Sequence, residues 1–182
     1  MKYKLVSIFA VIILFLMFTS GCTNEENSVN PSSGIAILNT SFEENGFFSA
    51  EGWTLPLLSD SSTDVPTNGG KYSLLLESVS PPEVFAEIKV PVLSQYNNYK
   101  LSFSSKSTGG VYGRAILSLL RNGSTIKSQN KAVNDITWQS YTIIDTFNVA
   151  AGDSFLVQLS GGTSQLLPGK TYFDLCTLEA VE

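Results

Sequence analysis

From position 35 onward, short runs rich in β-branched and aromatic residues alternate with Gly, Asn, Ser and Pro, and no stretch keeps helical spacing for more than a turn or two. Strands that bury one face alternate apolar and polar residues with a period of two. The pattern therefore predicts an all-β domain. Its strands are predicted at 35–39, 71–77, 86–92, 99–105, 113–121, 125–130, 141–147, 154–160 and 171–180. Strands at this spacing, without helices between them, favour an antiparallel sandwich of two sheets around one core.

Two turns stand out between these runs. Asn122-Gly123 lies between two β-rich segments, and this dipeptide supplies the positive φ angles that a type I′ hairpin requires. It predicts that 115–120 pairs with 125–128. A second turn is predicted at 151–153, where Ala, Gly and Asp follow one another.

Alternation also predicts which side chains leave the core. In 113–121 alternate positions carry Ala115, Leu117 and Leu119, so Arg114 on the other set should face solvent. The same argument places Gln158 outward in 154–160, and it puts Phe85 at the lip of the strand in which Ile88 and Val90 face inward. The residues predicted to face the core are Ala115, Leu117, Leu119, Phe155, Val157 and Leu159.

The amino terminus has the layout of a secretory signal. Lys2 and Lys4 precede an apolar run at 5–18, which is followed by small residues and Cys22. The run is short of the roughly 20 residues that span a bilayer as a helix, which makes a permanent transmembrane anchor the weaker alternative. Residues 18–22 (Phe-Thr-Ser-Gly-Cys) resemble the lipobox of bacterial lipoproteins, although Thr19 replaces the usual Leu. The resemblance implies cleavage after residue 21, acylation of Cys22 and a lipid anchor in the bacterial cell envelope. The outer membrane is the expected location, and exposure at the cell surface is a further option.

Residues 22–34 are predicted to form a flexible tether between the acylated cysteine and a domain at 35–182. After Cys22 the segment has one apolar side chain, Val29, among Thr, Asn, Ser, Glu, Pro and Gly, and it cannot bury enough surface to offset its ordering entropy. Glu25-Glu26 is similar to the surface-export signal of Bacteroidetes-type lipoproteins. A solvated linker charge is the alternative.

Charge and composition exclude several classes of function. The formal charge of −5 falls to −7 once Lys2 and Lys4 leave with the signal, and no cluster of Lys or Arg offsets it, so nucleic acid is not expected as a partner. The chain has no histidine, which removes Ser-His-Asp and Cys-His catalysis and the usual zinc sites. No recognisable pair of carboxylates suggests a glycosidase. We therefore expect a binding protein rather than an enzyme, and acylation of Cys22 would leave Cys176 without a disulfide partner.

Six segments together resemble the galactose-binding-like jelly roll of carbohydrate-binding modules in families 4, 9 and 22. The resemblance implies this fold and a carbohydrate partner. Since the fold also serves adhesion and structural roles, a structural or protein-interacting lipoprotein that contacts other envelope proteins remains the alternative. The segments are Asn39-Thr40-Ser41-Phe42-Glu43, Gly52-Trp53-Thr54, Gly70-Lys71-Tyr72-Ser73-Leu74, Tyr99-Lys100-Leu101-Ser102-Phe103, Trp138 and Phe173-Asp174.

The resemblance also implies a structural calcium ion, which in such modules joins the first and last strands. The corresponding ligands would be the carboxylates of Glu43 and Asp174 with the main-chain carbonyls of Ser41 and Lys71, a set of hard oxygen donors suited to calcium. Leu175 departs from the family, where a second Asp is common. The alternative is that both carboxylates cap turns or pair with lysines.

The ligand groove of the family lies on the outer, concave face of one sheet, where aromatic rings stack on sugars and polar groups bind the hydroxyls. The expected ligand-binding residues here are Phe85, Tyr112, Arg114 and Gln158, with a neutral glycan as the ligand. Each of them is alternatively part of a loop tip or a packed edge. Trp53, Trp138, Tyr72, Tyr99 and Phe103 are expected in the core, and the role of Phe47-Phe48 stays open.

Overall fold

The computed structural model describes residues 35–93, 95–163 and 169–181, so the predicted signal peptide, Cys22 and the tether lie outside the described residues. The described chain is all-β, which confirms the predicted fold class. The strands are β1 Ile35–Thr40, β2 Glu43–Glu44, β3 Phe47–Phe48, β4 Ser59–Ser62, β5 Ser73–Glu77, β6 Ala86–Pro91, β7 Asn98–Thr108, β8 Gly113–Arg121, β9 Ser124–Val133, β10 Gln139–Thr146, β11 Ser154–Ser160 and β12 Lys170–Val181. No helix long and apolar enough to cross a membrane occurs among these residues.

Two antiparallel sheets form a jelly-roll sandwich. The six-stranded sheet has the order β10-β7-β12-β5-β4, and β1 pairs with the second half of β12. The four-stranded sheet has the order β6-β11-β8-β9, and β2 and β3 form a separate hairpin. Since β12 pairs with β7 along most of its length and with β5 and then β1 on its other side, the last strand organises the larger sheet.

The core lies between the two sheets and follows the predicted alternation. The inward positions of β8 and β11 are fully buried, as are Tyr99 and Phe103, and these predictions are confirmed. Ser118, on the outward set of β8, is also buried, and its hydroxyl is hydrogen-bonded to that of Ser128 on β9 at 3.0 Å. Tyr72 is only half-buried, so it is not the core residue that we expected.

The predicted turns are present. Asn122 and Gly123 have φ angles of 52° and 79° and join β8 to β9, where 115–120 pairs with 125–131 rather than with 125–128 alone. Gly152 lies in the turn before β11 with a φ of 87°. A third turn, missed in the sequence, is Asn45-Gly46 between β2 and β3, with φ angles of 52° and 80°. Strand β4 was also missed because its sequence, Ser-Asp-Ser-Ser, has no apolar residue.

A β-bulge interrupts β12 and changes its phase. Asp174 is opposite Ser104 on β7, but the next pair joins Thr177 to Ser102, so β12 holds one residue more than its partner. Leu175 absorbs the extra residue with a φ of 52°, a left-handed conformation that costs a non-glycine residue roughly 1–2 kcal/mol. Side chains on both sides of the bulge are therefore buried, and Asp174 is held at the point where the phase changes.

Candidate functional site

An open groove crosses one end of the outer face of the four-stranded sheet. We call it the sheet groove, and its volume is about 440 Å³. It is formed where β8 begins, beside the segment that leads into β6 and the end of β9. The lining residues are Glu83, Tyr112, Gly113, Arg114, Asn130, Ala132 and Thr163.

Tyr112 is the exposed aromatic residue of the sheet groove, with 68% of its surface accessible. Its backbone is fixed by two close approaches that only glycine permits. A Cβ on Gly113 would overlap the side chain of Thr171, and a Cβ on Gly162, whose φ is +81°, would overlap the carbonyl of Tyr112. The ring is therefore presented to solvent from a rigid, tightly packed backbone.

Arg114 lies beside Tyr112 and is held by two neighbours. Its Nε donates to Glu83 Oε1 at 3.0 Å and its Nη2 donates to the other carboxylate oxygen, which makes a bidentate pair. Its guanidinium carbon lies 5.5 Å from the centroid of the Phe85 ring. These contacts fix the guanidinium plane while 41% of the side chain remains exposed, so its remaining N–H donors face the groove in a fixed orientation.

Gln158 lies on the same face, one cross-strand row away. It is opposite Ile116 on β8 and Glu87 on β6, whereas Arg114 is opposite Ser160. Its side-chain amide donates to Glu87 Oε1 at 2.6 Å. The structure thus groups Phe85, Tyr112 and Arg114, and it places Gln158 next to that group rather than within it.

Two carboxylates of this face were missed in the sequence analysis. Glu83 and Glu87 lie two residues before and two residues after Phe85, so period-two alternation would have grouped all three on the side opposite Ile88 and Val90. Their partners, Arg114 and Gln158, could not be identified without the strand register.

Two of the expected calcium ligands, the carboxylates of Glu43 and Asp174, lie near each other under the loop at 64–72. One oxygen of the Glu43 carboxylate accepts hydrogen bonds from the backbone N–H groups of Lys71 and Tyr72. A Cβ on Gly69 would overlap the Asp174 carboxylate, and one on Gly70 would overlap the Glu43 carboxylate. The two glycines therefore let the loop close over both acids, and the Lys71 main chain contacts Glu43 through its N–H.

Asp174 is fully buried, and its Oδ2 has no hydrogen-bond partner, while Oδ1 accepts the N–H of Leu175 at 2.7 Å. Burial raises the pKa of Asp174 to about 7; the Leu175 N–H works against this shift, and the nearby charge of Glu43 adds to it. A buried carboxylate with an unpartnered oxygen is stabilised either by binding a cation or by taking up a proton.

The donor set suits a hard cation only if the main chain contributes. Across residues 35–93, 95–163 and 169–181, no three side chains of His, Cys, Asp or Glu are grouped as metal ligands. Two carboxylates are therefore available, and calcium needs six to eight oxygens. Ser41 lines an open groove beside Glu43, which puts its backbone in the vicinity.

Trp138 does not lie in the core as expected. It is half-exposed on the outer face of the six-stranded sheet, where its Nε1 donates to Asp64 Oδ1 at 3.0 Å. Lys106 forms an ion pair with the same carboxylate, and Ser73 Oγ donates to the Asp64 carbonyl at 2.7 Å. Partial burial would raise the pKa of Asp64, but the hydrogen bonds from Lys106 and Trp138 and the charge of Lys106 outweigh it and lower the pKa. These contacts pin the loop that covers Asp174.

The other aromatic and thiol candidates divide as follows. Trp53 is buried, with its ring 5.5 Å from that of Phe42, which confirms its place in the core. Phe47 is 72% exposed at the β2–β3 turn, whereas Phe48 packs against the core. Cys176 is fully buried, and burial, followed by the charge of Asp174, raises the pKa of its thiol, so it is inert.

Comparison with known proteins supports the fold. No protein-family model matches the chain, and no curated protein matches it significantly. The CBM22-1 xylan-binding domain of Xyn10C from Paenibacillus barcinonensis is similar over 83% of this chain and 97% of its own, at 18% identity and a TM-score of 0.56. A family 16 carbohydrate-binding module is similar over 78% of this chain and 97% of its own, at 20% identity and a TM-score of 0.54.

A second kind of protein shares the fold. The enzymatically active domain of tailspike protein 4 from bacteriophage CBA120 is similar over 80% of this chain, at 15% identity and a TM-score of 0.63, and the match covers 22% of the tailspike chain. At these identities the likeness is one of fold, so the chain shares the jelly-roll fold of carbohydrate-binding modules. Such folds serve several functions, and the site has to carry the functional argument.

Proposed function

We propose that this protein is a non-catalytic lipoprotein that binds a neutral carbohydrate in the sheet groove. The observation that carries the proposal is the exposed ring of Tyr112 beside the fixed guanidinium of Arg114. A pyranose ring has apolar C–H faces and polar edges, so an aromatic platform next to oriented donors is the arrangement that recognises it. The likeness to a xylan-binding module is consistent with this ligand class.

The charges of the face favour a neutral ligand. Arg114 is paired with Glu83, and the carboxylate of Glu87 accepts a hydrogen bond from the amide of Gln158. Arg114 therefore offers no unpaired positive charge to an acidic ligand, and both carboxylates are already engaged within the protein. The groove is open rather than enclosed, which suits weak binding along a polysaccharide. Asn130 and Thr163 add hydroxyl and amide groups to the rim.

We propose calcium as a structural cofactor at Glu43 and Asp174, completed by main-chain oxygens such as those of Ser41 and Lys71. The orphaned Oδ2 of Asp174 and the proximity of the two carboxylates support it. A bound cation would supply charge neutralisation and would hold the loop at 64–72 against β12. It would act on stability and groove shape without taking part in chemistry.

Attachment through Cys22 completes the proposal. The expected anchor is a diacylated or triacylated cysteine at the bacterial cell envelope, because a single chain would bind only marginally. Labelling of cells with a palmitate analogue should mark the wild-type chain and leave Cys22→Ser unmarked. If both are labelled equally, the lipidation part of the proposal is wrong.

Affinity electrophoresis in gels containing xylan, β-glucan or galactan tests the carbohydrate proposal. We expect retardation of the wild type by at least one of them, little change in Tyr112→Phe, and a loss of about tenfold in affinity for Tyr112→Ala, which corresponds to about 1.4 kcal/mol. Ile136→Ala is the matched control, since Ile136 is an exposed apolar side chain outside the groove.

A structural or protein-interacting lipoprotein is the second candidate. The observation in its favour is that Arg114 and Gln158 are already bonded within the protein, so a sugar would have to share these partners. Unchanged mobility on every polysaccharide, together with capture of a specific envelope protein that Tyr112→Ala abolishes, would favour this alternative.

A further inference from the structure

A second groove runs over the outer face of the six-stranded sheet, on the opposite side of the sandwich from the sheet groove. It consists of two adjoining depressions of about 250 and about 340 Å³, which share Ser104 and Ser140. We call it the outer groove. Its outward lining side chains are Pro66, Thr67, Trp138 and Gln139 at one end, Ser102, Ser104, Ser140 and Thr142 along the floor, and Lys100 and Leu175 at the other end.

The floor of the outer groove is a ladder of hydroxyls. Ser104 is opposite Ser140, and Ser102 is opposite Thr142, in the antiparallel pairing of β7 and β10. Directly opposed residues in such a pair lie about 4.5–5.5 Å apart at their Cβ atoms, and successive rows on one face are about 7 Å apart. The face therefore offers the hydroxyls of Ser102, Ser140 and Thr142 in two successive rows, while Ser104 is only 8% exposed at the base of the groove.

Trp138 stands at one end with its orientation fixed. Its indole N–H is taken by Asp64, its ring meets that of Tyr172 edge-on at 6.3 Å, and Lys106 Nζ lies 5.6 Å from its centroid. The ring remains half-exposed and lines the groove next to Gln139. A held ring with its own polar atom satisfied binds a sugar face at little cost in side-chain entropy.

The charges at both ends are neutralised. Lys106 is paired with Asp64 at the tryptophan end, and Lys100 is paired with Glu179 at 2.6 Å at the other end. Neither end offers an unpaired charge to an ionic ligand. A neutral molecule rich in hydroxyls fits this surface better than an acidic or basic peptide does.

We propose that the outer groove is a second carbohydrate site, which takes a neutral oligosaccharide with one ring on Trp138 and the following rings over the hydroxyl ladder. It goes beyond the sheet-groove function and does not depend on it. Because the two grooves lie on opposite faces, one molecule would hold two glycan chains and so bind a polysaccharide network with avidity.

Nuclear magnetic resonance of the ¹⁵N-labelled full chain separates the two sites. The chain has two tryptophans, so it gives two indole N–H signals, and Trp138→Phe identifies that of Trp138. Xylohexaose, cellohexaose and mannohexaose are titrated separately to 10 mM. We expect at least one of them to shift the Trp138 indole and the Gln139 side-chain amide along a saturating curve, while the buried Trp53 indole stays in place.

Two variants decide between an independent site and an indirect effect. In Tyr112→Ala the shifts at Trp138 should persist with an unchanged midpoint, and in Gln139→Ala the midpoint should rise at least threefold while the loop contact through Asp64 is left intact. If no sugar moves the Trp138 signal, or if its shift disappears in Tyr112→Ala, the outer groove is not a second site. Shifts at Trp138 without any at Tyr112 and Arg114 would instead refute the sheet-groove proposal alone.

Discussion

The Asp174→Asn substitution is expected to change the sign of its effect on stability with calcium. Asp174 has a pKa of about 7 in the fold, compared with about 3.9 in an unfolded chain. Each unit corresponds to about 1.4 kcal/mol, so ionising the buried group costs at most about 4 kcal/mol. We take about half of that, because buried charges in proteins experience an effective dielectric constant well above that of dry protein.

The direction of the pH dependence follows from linkage. The folded protein binds a proton that the unfolded chain has already lost, so the penalty is absent below pH 4, grows between pH 4 and 7, and is complete at pH 8. Asparagine keeps the shape of the side chain and carries no charge. In chelator at pH 8 we therefore expect Asp174→Asn to be more stable than the wild type by about 2 kcal/mol, or roughly 4–8 °C in Tm.

Calcium should reverse this order. At a calcium concentration of one hundred times its Kd, a ligand that binds only the folded state stabilises the wild type by about 2.7 kcal/mol, and the asparagine variant should gain almost nothing. Thermal unfolding followed by near-ultraviolet circular dichroism, with EDTA or calcium at pH 5 and pH 8, measures all four conditions.

A control and two refuting results belong to the same experiment. Asp145→Asn removes an edge-strand carboxylate that pairs with Lys127 at 2.7 Å, and it should leave the calcium increment unchanged. If Asp174→Asn is destabilised in EDTA at pH 8, the carboxylate is not an unsatisfied charge in the metal-free protein. If calcium stabilises neither protein, the metal has no structural role.

Three further predictions test the packing and the electrostatics of the sandwich. Leu117→Ala should lose about 2–5 kcal/mol of unfolding free energy in urea, since the side chain is fully buried in the middle of β8, and a loss below 1 kcal/mol would contradict the core assignment. Burial, followed by the hydrogen bond to Asp135 and the charge of Asp135, raises the pKa of Tyr141 to about 12. Asp135→Asn should therefore lower the pKa of Tyr141 in an ultraviolet titration, and an unchanged pKa would refute the contact. Gly123→Ala should lower the unfolding free energy by about 1–2 kcal/mol through its φ of 79° alone, because nothing lies within 4 Å of the added Cβ. Gly69→Ala should lower it by more in the same urea assay, because its Cβ would overlap Pro66 and Asp174.

Strand prediction succeeded where one face of the strand is apolar and the other face is more polar. The bounds of β8 and β11 match the predicted 113–121 and 154–160, because their inward residues alternate without a break. Strand β4 forms by main-chain pairing with β5 at the edge of the sheet, and its side chains contribute no apolar pattern to detect. The β2–β3 hairpin is too short for periodicity, although its Asn45-Gly46 turn was visible in the sequence.

For the sheet groove, the sequence predicted which side chains face solvent but not which side chains pair with one another. Alternation alone places Arg114 and Gln158 outside the core, and the structure agrees. Their partners Glu83 and Glu87 lie 31 and 71 residues away, so the ion pair and the amide bond depend on the order β6-β11-β8, which no local pattern specifies. The same reason explains Trp138, whose partner Asp64 lies in a distant loop.

The pairing of Glu43 with Asp174 shows why local rules are not enough at the junction of the two chain ends. A strict period of two through 171–180 would put Phe173 and Cys176 on opposite faces, whereas both are buried, because the bulge inserts a residue between them. The bulge depends on a positive φ at Leu175, and leucine rarely adopts a positive φ, so the sequence does not indicate the bulge. It leaves Asp174 facing the loop at 64–72, where two glycines admit its carboxylate and that of Glu43 side by side. A strained leucine and two glycines therefore bring two carboxylates together, an arrangement that lowers stability when both are ionised unless a cation completes it.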